Sequence, residues 1–283
     1  MSSLDQAYRN CETLARQSNF YTGLRLLPFE KRRALMAIYA FMRQSDDLSD
    51  SEAAASDRSQ RFQAWRKILD ETLQGRHDDH PSLPALRDAV NRFRIPPLLF
   101  HQLIDGTEMD LTISSYATFE DLYRYCYHVA SVVGLICLQV FGFDDSRAEA
   151  CAESCGIAFQ LTNILRDIAE DLERDRIYLP REDMARFQYS EADLKSRLND
   201  SRFQALMIFQ CQRARRYYEL ARPLVNMLER DSRPCFWAMF RSYETILQHL
   251  ESNRFKVFEK RCRLKSTDKL KILGQALGKR IFS

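Results

Sequence analysis

The 283-residue chain is poor in residues that break helices, with only 8 glycines and 8 prolines, thinly spread. That scarcity excludes collagen-like and low-complexity classes and argues against a loop-rich sandwich. No glycine-rich dinucleotide fingerprint occurs, no repeat of fixed period and no alternation of period two long enough for a sheet. No run of 18 apolar residues exists; the longest nearly apolar passage, 131–143, is broken by Gln139 and reads as a buried helix rather than a membrane span. The first residues, MSSLDQAYRNCETLARQ, are polar and carry acids, which fits neither a signal peptide nor a transit peptide and points to a cytoplasmic protein. Eight cysteines are present without a single Cys-x-x-Cys. Cys151 and Cys155 stand one helical turn apart with no His or Cys cluster around them, so the set reads as core or near-surface thiols.

Strong charge of one sign is also missing: 42 Lys and Arg face 39 Asp and Glu, a net +3. The balance is uneven along the chain. Residues 254–283 hold ten Lys or Arg against two acids, a net +8 that leaves −5 for everything before them. Val257, Phe258, Leu264, Leu270, Ile272, Leu273, Leu277, Ile281 and Phe282 are interleaved with those cations. Such a segment is either a solvated final helix or a transient contact with an anionic membrane, at the inner face of the cytoplasmic membrane. No recognition motif supports nucleic-acid binding.

What is present is helical periodicity. Residues 29–46 follow Pro28 with Leu35, Met36, Ile38, Tyr39 and Phe41 on an apolar stripe. Helices are expected over 57–75, after Pro84, after Pro96-Pro97, and over 119–142, 146–175, 190–229 and 231–260, with a break at 176–180 where Pro180 disfavours helix at Leu179. Linkers long enough to separate domains are absent, so a single all-α domain over 1–283 is expected.

Two acid clusters stand out. Asp46-Asp47-Leu48-Ser49-Asp50 closes an apolar helix, with Asp46 and Asp50 on one face. Like charges there repel one another and oppose the helix dipole, an arrangement that a bound cation relieves. In the second cluster Asn163, Asp167 and Asp171 step by four along one face, with Gln160 preceding on much the same side. Carboxylates and an amide oxygen are hard ligands that suit Mg²⁺, which bridges to phosphates. Acids at four-residue spacing also occur on solvated helix faces. Two such faces, both on long helices flanked by apolar sequence, point instead to a diphosphate held through metal ions.

The chain resembles the squalene and phytoene synthase family. The likeness rests on residues 39–50 (YAFMRQSDDLSD), on 125–134 (YCYHVASVVG), and on Gly156, Gln160, Asn163, Arg166, Asp167 and Asp171 followed by Arg176-Ile177-Tyr178-Leu179-Pro180. The resemblance implies an all-α isoprenoid synthase fold, a helical bundle around a central hydrophobic cavity. It implies Asp46, Asp50, Asn163, Asp167 and Asp171 as ligands of Mg²⁺, for which Mn²⁺ can substitute, and Arg43 and Arg166 on phosphate. Gln160 and Arg176, inside the third motif, are assigned to diphosphate with them. Tyr125 matches a tyrosine beside the reacting carbocation, and Tyr125, Arg166 and Asp167 are the catalytic candidates. Phe20, Tyr39, Val129, Ala130, Gly134 and Tyr243 match the prenyl cavity. Departures from the family pattern are Ser51 for a common acid, Ser49 for an apolar residue, and Asn19 for a common serine.

Within the family, residues 104–110 (IDGTEMD) and the second motif look most like bacterial presqualene diphosphate synthases of hopanoid pathways. The leading expectation is therefore condensation of two farnesyl diphosphates to presqualene diphosphate and pyrophosphate. The alternatives are phytoene synthesis from two geranylgeranyl diphosphates, complete squalene synthesis with NADPH, and a non-enzymatic helical bundle that docks on membranes or a partner.

Overall fold

The computed structural model describes residues 2–16, 18, 21–49, 55–76 and 80–281. Asn19, Phe20, Asp50 and Ser51 lie outside the described residues, so the expectations placed on them stay with the sequence.

The first helices are α1 (Ser3–Ala15), α2 (Tyr21–Leu24), α3 (Phe29–Ser49), α4 (Ala55–Leu73), α5 (Leu83–Phe93) and α6 (Pro97–Met109). Next, α7 (Phe119–Cys126) runs through a π-helical turn, Tyr127–Ser131, into α8 (Val132–Phe141). The long α9 (Ala148–Leu172) precedes the short α10 (Arg181–Arg186) and α11 (Glu191–Lys195). The chain ends with α12 (Ser201–Ala221), α13 (Leu224–Met227), α14 (Arg233–Ser252) and α15 (Ser266–Ile281). Among the described residues there is no sheet, only isolated bridges at Ser115–Ile177 and Phe143–Leu228.

Local chemistry explains where these helices begin. Ser2 with Asp5, Thr118 with Asp121 and Ser190 with Asp193 form reciprocal capping boxes at α1, α7 and α11. Proline occupies the first turn of α5, α6 and α14, where its missing N–H costs nothing. The helix expected over 190–229 is divided: Arg197 adopts a left-handed φ of 55°, and Asp200 then caps a new helix by accepting from the N–H groups of Arg202 and Phe203. The helix expected over 231–260 ends at Ser252, because Arg254 and Phe255 turn to φ of 57° and 54°. Neither break carries a glycine or proline that the apolar period could have flagged.

Helix α9 is the axis of the bundle, packed by α12, α8, α14 and the π-helical turn. Its buried stripe runs from Ala148 to Ile168, and buried residues from Ala7 to Ala276 form one hydrophobic cluster. The stretch Phe119–Phe141 is long and apolar enough to cross a membrane, with mean hydropathy 1.3, but 44% of that window is buried within the protein. It is interrupted by the π-helical turn and packs against α6 and α9, as a core element does. Gly156 makes the closest of these approaches: a Cβ there would stand 2.4 Å from Ser131 Cα. All eight cysteines are free thiols, six of them buried, in keeping with their expected packing role.

Candidate active site

The polar side of α9 emerges from this packing. Gln160, Asn163, Arg166, Asp167 and Asp171 are all half-buried, while the residues between them are mostly core. Asn163 Nδ2 donates to Gln160 Oε1 at 3.3 Å, and Asn163 Oδ1 is buried with no hydrogen-bond partner. Such an orphaned acceptor is costly unless a cation or a donor meets it. Asp171 is only partly compensated. Burial first, and then the neighbouring Asp167, push its carboxyl up to about 7, against the pull of Arg176 and Arg174.

Asp167 is heavily engaged. Arg166 Nε donates to its Oδ1 at 2.7 Å, and Arg261 donates from Nε and Nη2 at 2.9 and 3.0 Å. Arg261 also pairs with Glu170 at 3.1 Å. The adjacent Arg166–Asp167 pair is thus a local ion pair as well as a site candidate. Tyr243 stacks flat on Phe159, with centroids 4.1 Å apart and planes 7° apart, and its phenol lies beside Arg166 and Asn163.

A second constellation surrounds Asp110, which follows α6. Tyr178 and Tyr125 donate to its carboxylate at 3.0 and 3.3 Å, and Arg176 Nη2 donates to its backbone oxygen at 3.2 Å. The rings of Tyr125 and Tyr178 stack at 5.2 Å, and Tyr116 leans on both. Burial, with Asp110 and Tyr178 nearby, holds the Tyr125 phenol well above its ordinary pKa, so it is a neutral donor and not a phenolate. Arg176, assigned to diphosphate, therefore meets Asp110 in this structure.

The first acid cluster sits at the end of α3, where Arg43 pairs with Asp47 at 2.9 Å and Asp46 is exposed. Tyr39 is half-buried on the same helix. Val129 and Ala130, half-buried, belong to the π-helical turn. Gly134 is set against α9, where a Cβ would meet Ala152 O at 3.0 Å, so its small size serves helix approach. Among the described residues no group of three or more His, Cys, Asp or Glu is gathered to hold a metal. Asp50 lies outside that set, and Asp167 is taken by two guanidiniums. The amide and carboxylate donors of α9 nonetheless suit a hard divalent cation, given the orphaned Asn163 oxygen and the buried Asp171 beside Asp167.

Sequence reasoning missed two participants. Asp110 was legible only as part of a motif, since nothing local marks it as the acceptor for two distant tyrosines. Arg261 lay hidden in the basic tail, where its charge looked like one among ten.

The bundle, with a polar, acid-bearing face on its central helix, has the all-α isoprenoid synthase fold. The sequence model of the squalene/phytoene synthase family matches residues 14–268, and the chain belongs to that family of prenyltransferases. It is 39% identical to the 15-cis-phytoene synthase of Synechococcus elongatus, over 98% of this chain and 94% of the relative. A solved dehydrosqualene synthase in complex with ligand superposes with TM-score 0.89 at 26% identity, covering 99% of this chain and 98% of the other. A squalene synthase from Alicyclobacillus acidocaldarius gives 0.84 at 26%, covering 89% and 95%.

These findings correct the finer resemblance. The curated relatives matched at 35 to 39% identity bear the name phytoene synthase, not presqualene diphosphate synthase. Packing accounts for part of the wording that suggested the finer resemblance. Gly106, in the stretch 104–110, lies where a Cβ would be 2.8 Å from His128 Cβ, and Gly156 seats the π-helical turn. The glycines of those motifs thus answer to helix contact, and their match to one branch of the family is no guide to the product.

Proposed function

We propose that this protein joins two geranylgeranyl diphosphates head to head to form phytoene, with the whole chain acting as one catalytic domain in the cytoplasm. The observation that carries this reading is the 39% identity to a phytoene synthase across nearly the full length of both chains. Members of the family typically depend on Mg²⁺. The residues that would hold it here are Asp46, Asp50, Asn163, Asp167 and Asp171, and its chemistry is to neutralise a departing diphosphate.

The chain's own groups have separable tasks. Arg166 and Arg261, held near Asp167, offer guanidinium forks that suit phosphate oxygens, and Arg43 is exposed at the end of α3 for the same purpose. Loss of the donor's diphosphate leaves an allylic cation, which the double bond of the acceptor attacks; proton loss then closes a cyclopropane. Phytoene carries no phosphate, so the second diphosphate must leave too, and a final proton loss gives the hydrocarbon without a reductant. Tyr125, a neutral phenol bound to Asp110, positions the proton acceptor near the cation. Tyr39, Val129, Ala130 and the stacked Phe159 and Tyr243 supply apolar walls that keep water from the cation.

Incubation of the purified protein with Mg²⁺ and geranylgeranyl diphosphate, without NADPH, tests the reading. The expected product is phytoene with two pyrophosphates released per molecule. Faster turnover of farnesyl diphosphate, or a product that appears only with NADPH, would overturn it.

A further inference from the structure

The basic C-terminal segment is not a loose arm. Val257 and Ile272, expected to be available for an outside contact, are 2% and 7% exposed and belong to the core. Arg261 ties the segment to α9 through Asp167 and Glu170, and Asp268 at the start of α15 lies 3.6 Å from His249 of α14. Helix α15 is therefore a fixed ledge, seated on α14 by Ile272 and Ala276.

Its outer side has a definite pattern. At 100° per residue, Leu270, Gly274 and Leu277 fall on one line opposite Ile272 and Ala276. Leu270 is 70% exposed and Leu277 41%, and nothing lies within 4 Å of where a Cβ on Gly274 would stand. Lys269 and Lys271 flank this ridge on either side, both exposed, with stems long enough to lift their ammonium groups beside it. Arg254, Lys256, Lys260, Arg263 and Lys265 are also exposed in the segment leading to the helix.

We propose that the Leu270–Leu277 ridge of α15, with Lys269 and Lys271 at its sides, docks on an anionic lipid bilayer. An apolar line bordered by lysines on both flanks matches the boundary between acyl chains and phosphate headgroups. Charge complementarity selects this occupant. Ten cations against two acids in residues 254–283 would meet like charge if a second α15 faced this one, whereas anionic headgroups neutralise them. The docking face does not depend on which prenyl diphosphate the enzyme uses.

The test is flotation of the full-length protein with vesicles of phosphatidylcholine alone or mixed with phosphatidylglycerol, at low and high salt. Wild type should float with the anionic vesicles only, and less in high salt. Lys269→Gln/Lys271→Gln should weaken binding about fivefold per lysine, and Leu270→Ser/Leu277→Ser by roughly tenfold or more. Both pairs are exposed, and an unchanged thermal melt confirms that the variants fold. Absence of wild-type flotation, or a leucine variant that floats like wild type, would overturn the proposal. So would a wild-type dimer that the leucine variant converts to monomer, because the ridge would then be a self-association surface. Flotation is read without turnover, so a protein that floats and makes no phytoene retires the proposed reaction and leaves the docking face standing.

Discussion

Arg261 and Asp167, 94 residues apart in sequence, are joined by two hydrogen bonds of 2.9 and 3.0 Å. The same carboxylate accepts from Arg166, so the middle acid of the second cluster is held between two guanidiniums. On the proposed reading, a carboxylate so engaged would become available to a metal once a diphosphate drew the arginines away. The basic segment, which sequence reading treated as separate from the second acid cluster, is thereby tied to it.

Arg261→Gln should accordingly raise KM for the prenyl diphosphate about tenfold, the worth of one charge-assisted contact, with a smaller change in kcat. Steady-state pyrophosphate release measures both constants. An unchanged KM would mean that Arg261 serves only to anchor the tail. Asp167→Asn should abolish turnover, and full activity in that variant would remove Asp167 from the metal ligands.

Tyr125 shares Asp110 with Tyr178 through bonds of 3.3 and 3.0 Å. Tyr125→Phe keeps the buried ring and deletes the hydroxyl, so the fold should persist while kcat falls about 100-fold. Tyr178→Phe should cost less, since it removes one of the groups that orient Asp110 and leaves Tyr125 in place. Single-turnover product analysis distinguishes a slow chemical step from slow release. Equal, mild losses in the two variants would contradict the closer role given to Tyr125.

The all-α class was legible because apolar residues recur at helical spacing over α3, α9 and α14 with few glycines or prolines to interrupt them. The face of α9 was legible for the same reason: Asn163, Asp167 and Asp171 step with the helix while Ile164, Leu165 and Ile168 are core. Contacts made over long separations could not be read this way. Asp110 receives hydroxyls from residues 15 and 68 positions away, and Arg261 reaches back 94 positions. The choice between C15 and C20 chains could not be read this way either, because it turns on cavity depth, which residues distant in sequence set together.

Burial raises the Cys11 thiol from its ordinary 9.0 to about 12, and the Cys137 thiol likewise to about 12. A thiol raised in this way has almost no nucleophilic thiolate at neutral pH. The folded protein should therefore leave the buried Cys11 unlabelled by iodoacetamide at pH 8, whereas denatured protein labels it. The same shift sets a stability trend. The folded state keeps these thiols neutral, so their contribution is intact below pH 9 and is lost as pH rises through the window up to about 12. Peptide mapping after alkylation, and thermal melts between pH 8 and 11, check the two expectations. Rapid labelling of Cys11 in folded protein would contradict its burial.

Gly156 carries the sharpest packing constraint on α9. A Cβ there would stand 2.4 Å from Ser131 Cα and 2.5 Å from Ser131 N, which are backbone atoms of the π-helical turn and cannot rotate aside. Gly156→Ala must push α9 away from the turn that carries Val129 and Ala130, and should destabilise by about 3 kcal/mol. In a chain of this size that lowers Tm by roughly 6–12 °C. Gly274→Ala on α15 is the counterpart, because no atom lies within 4 Å of its new methyl. There the helix propensity of alanine acts alone, stabilising α15 by about 1 kcal/mol, and any rise in Tm should be small. Calorimetric melts of the two variants compare the same chemical change in a closed and an open position. A Gly156→Ala protein that melts like wild type would show that α9 and the π-helical turn are not locked together, and with that the reason for placing Val129 and Ala130 at a fixed distance from the α9 acids would be lost.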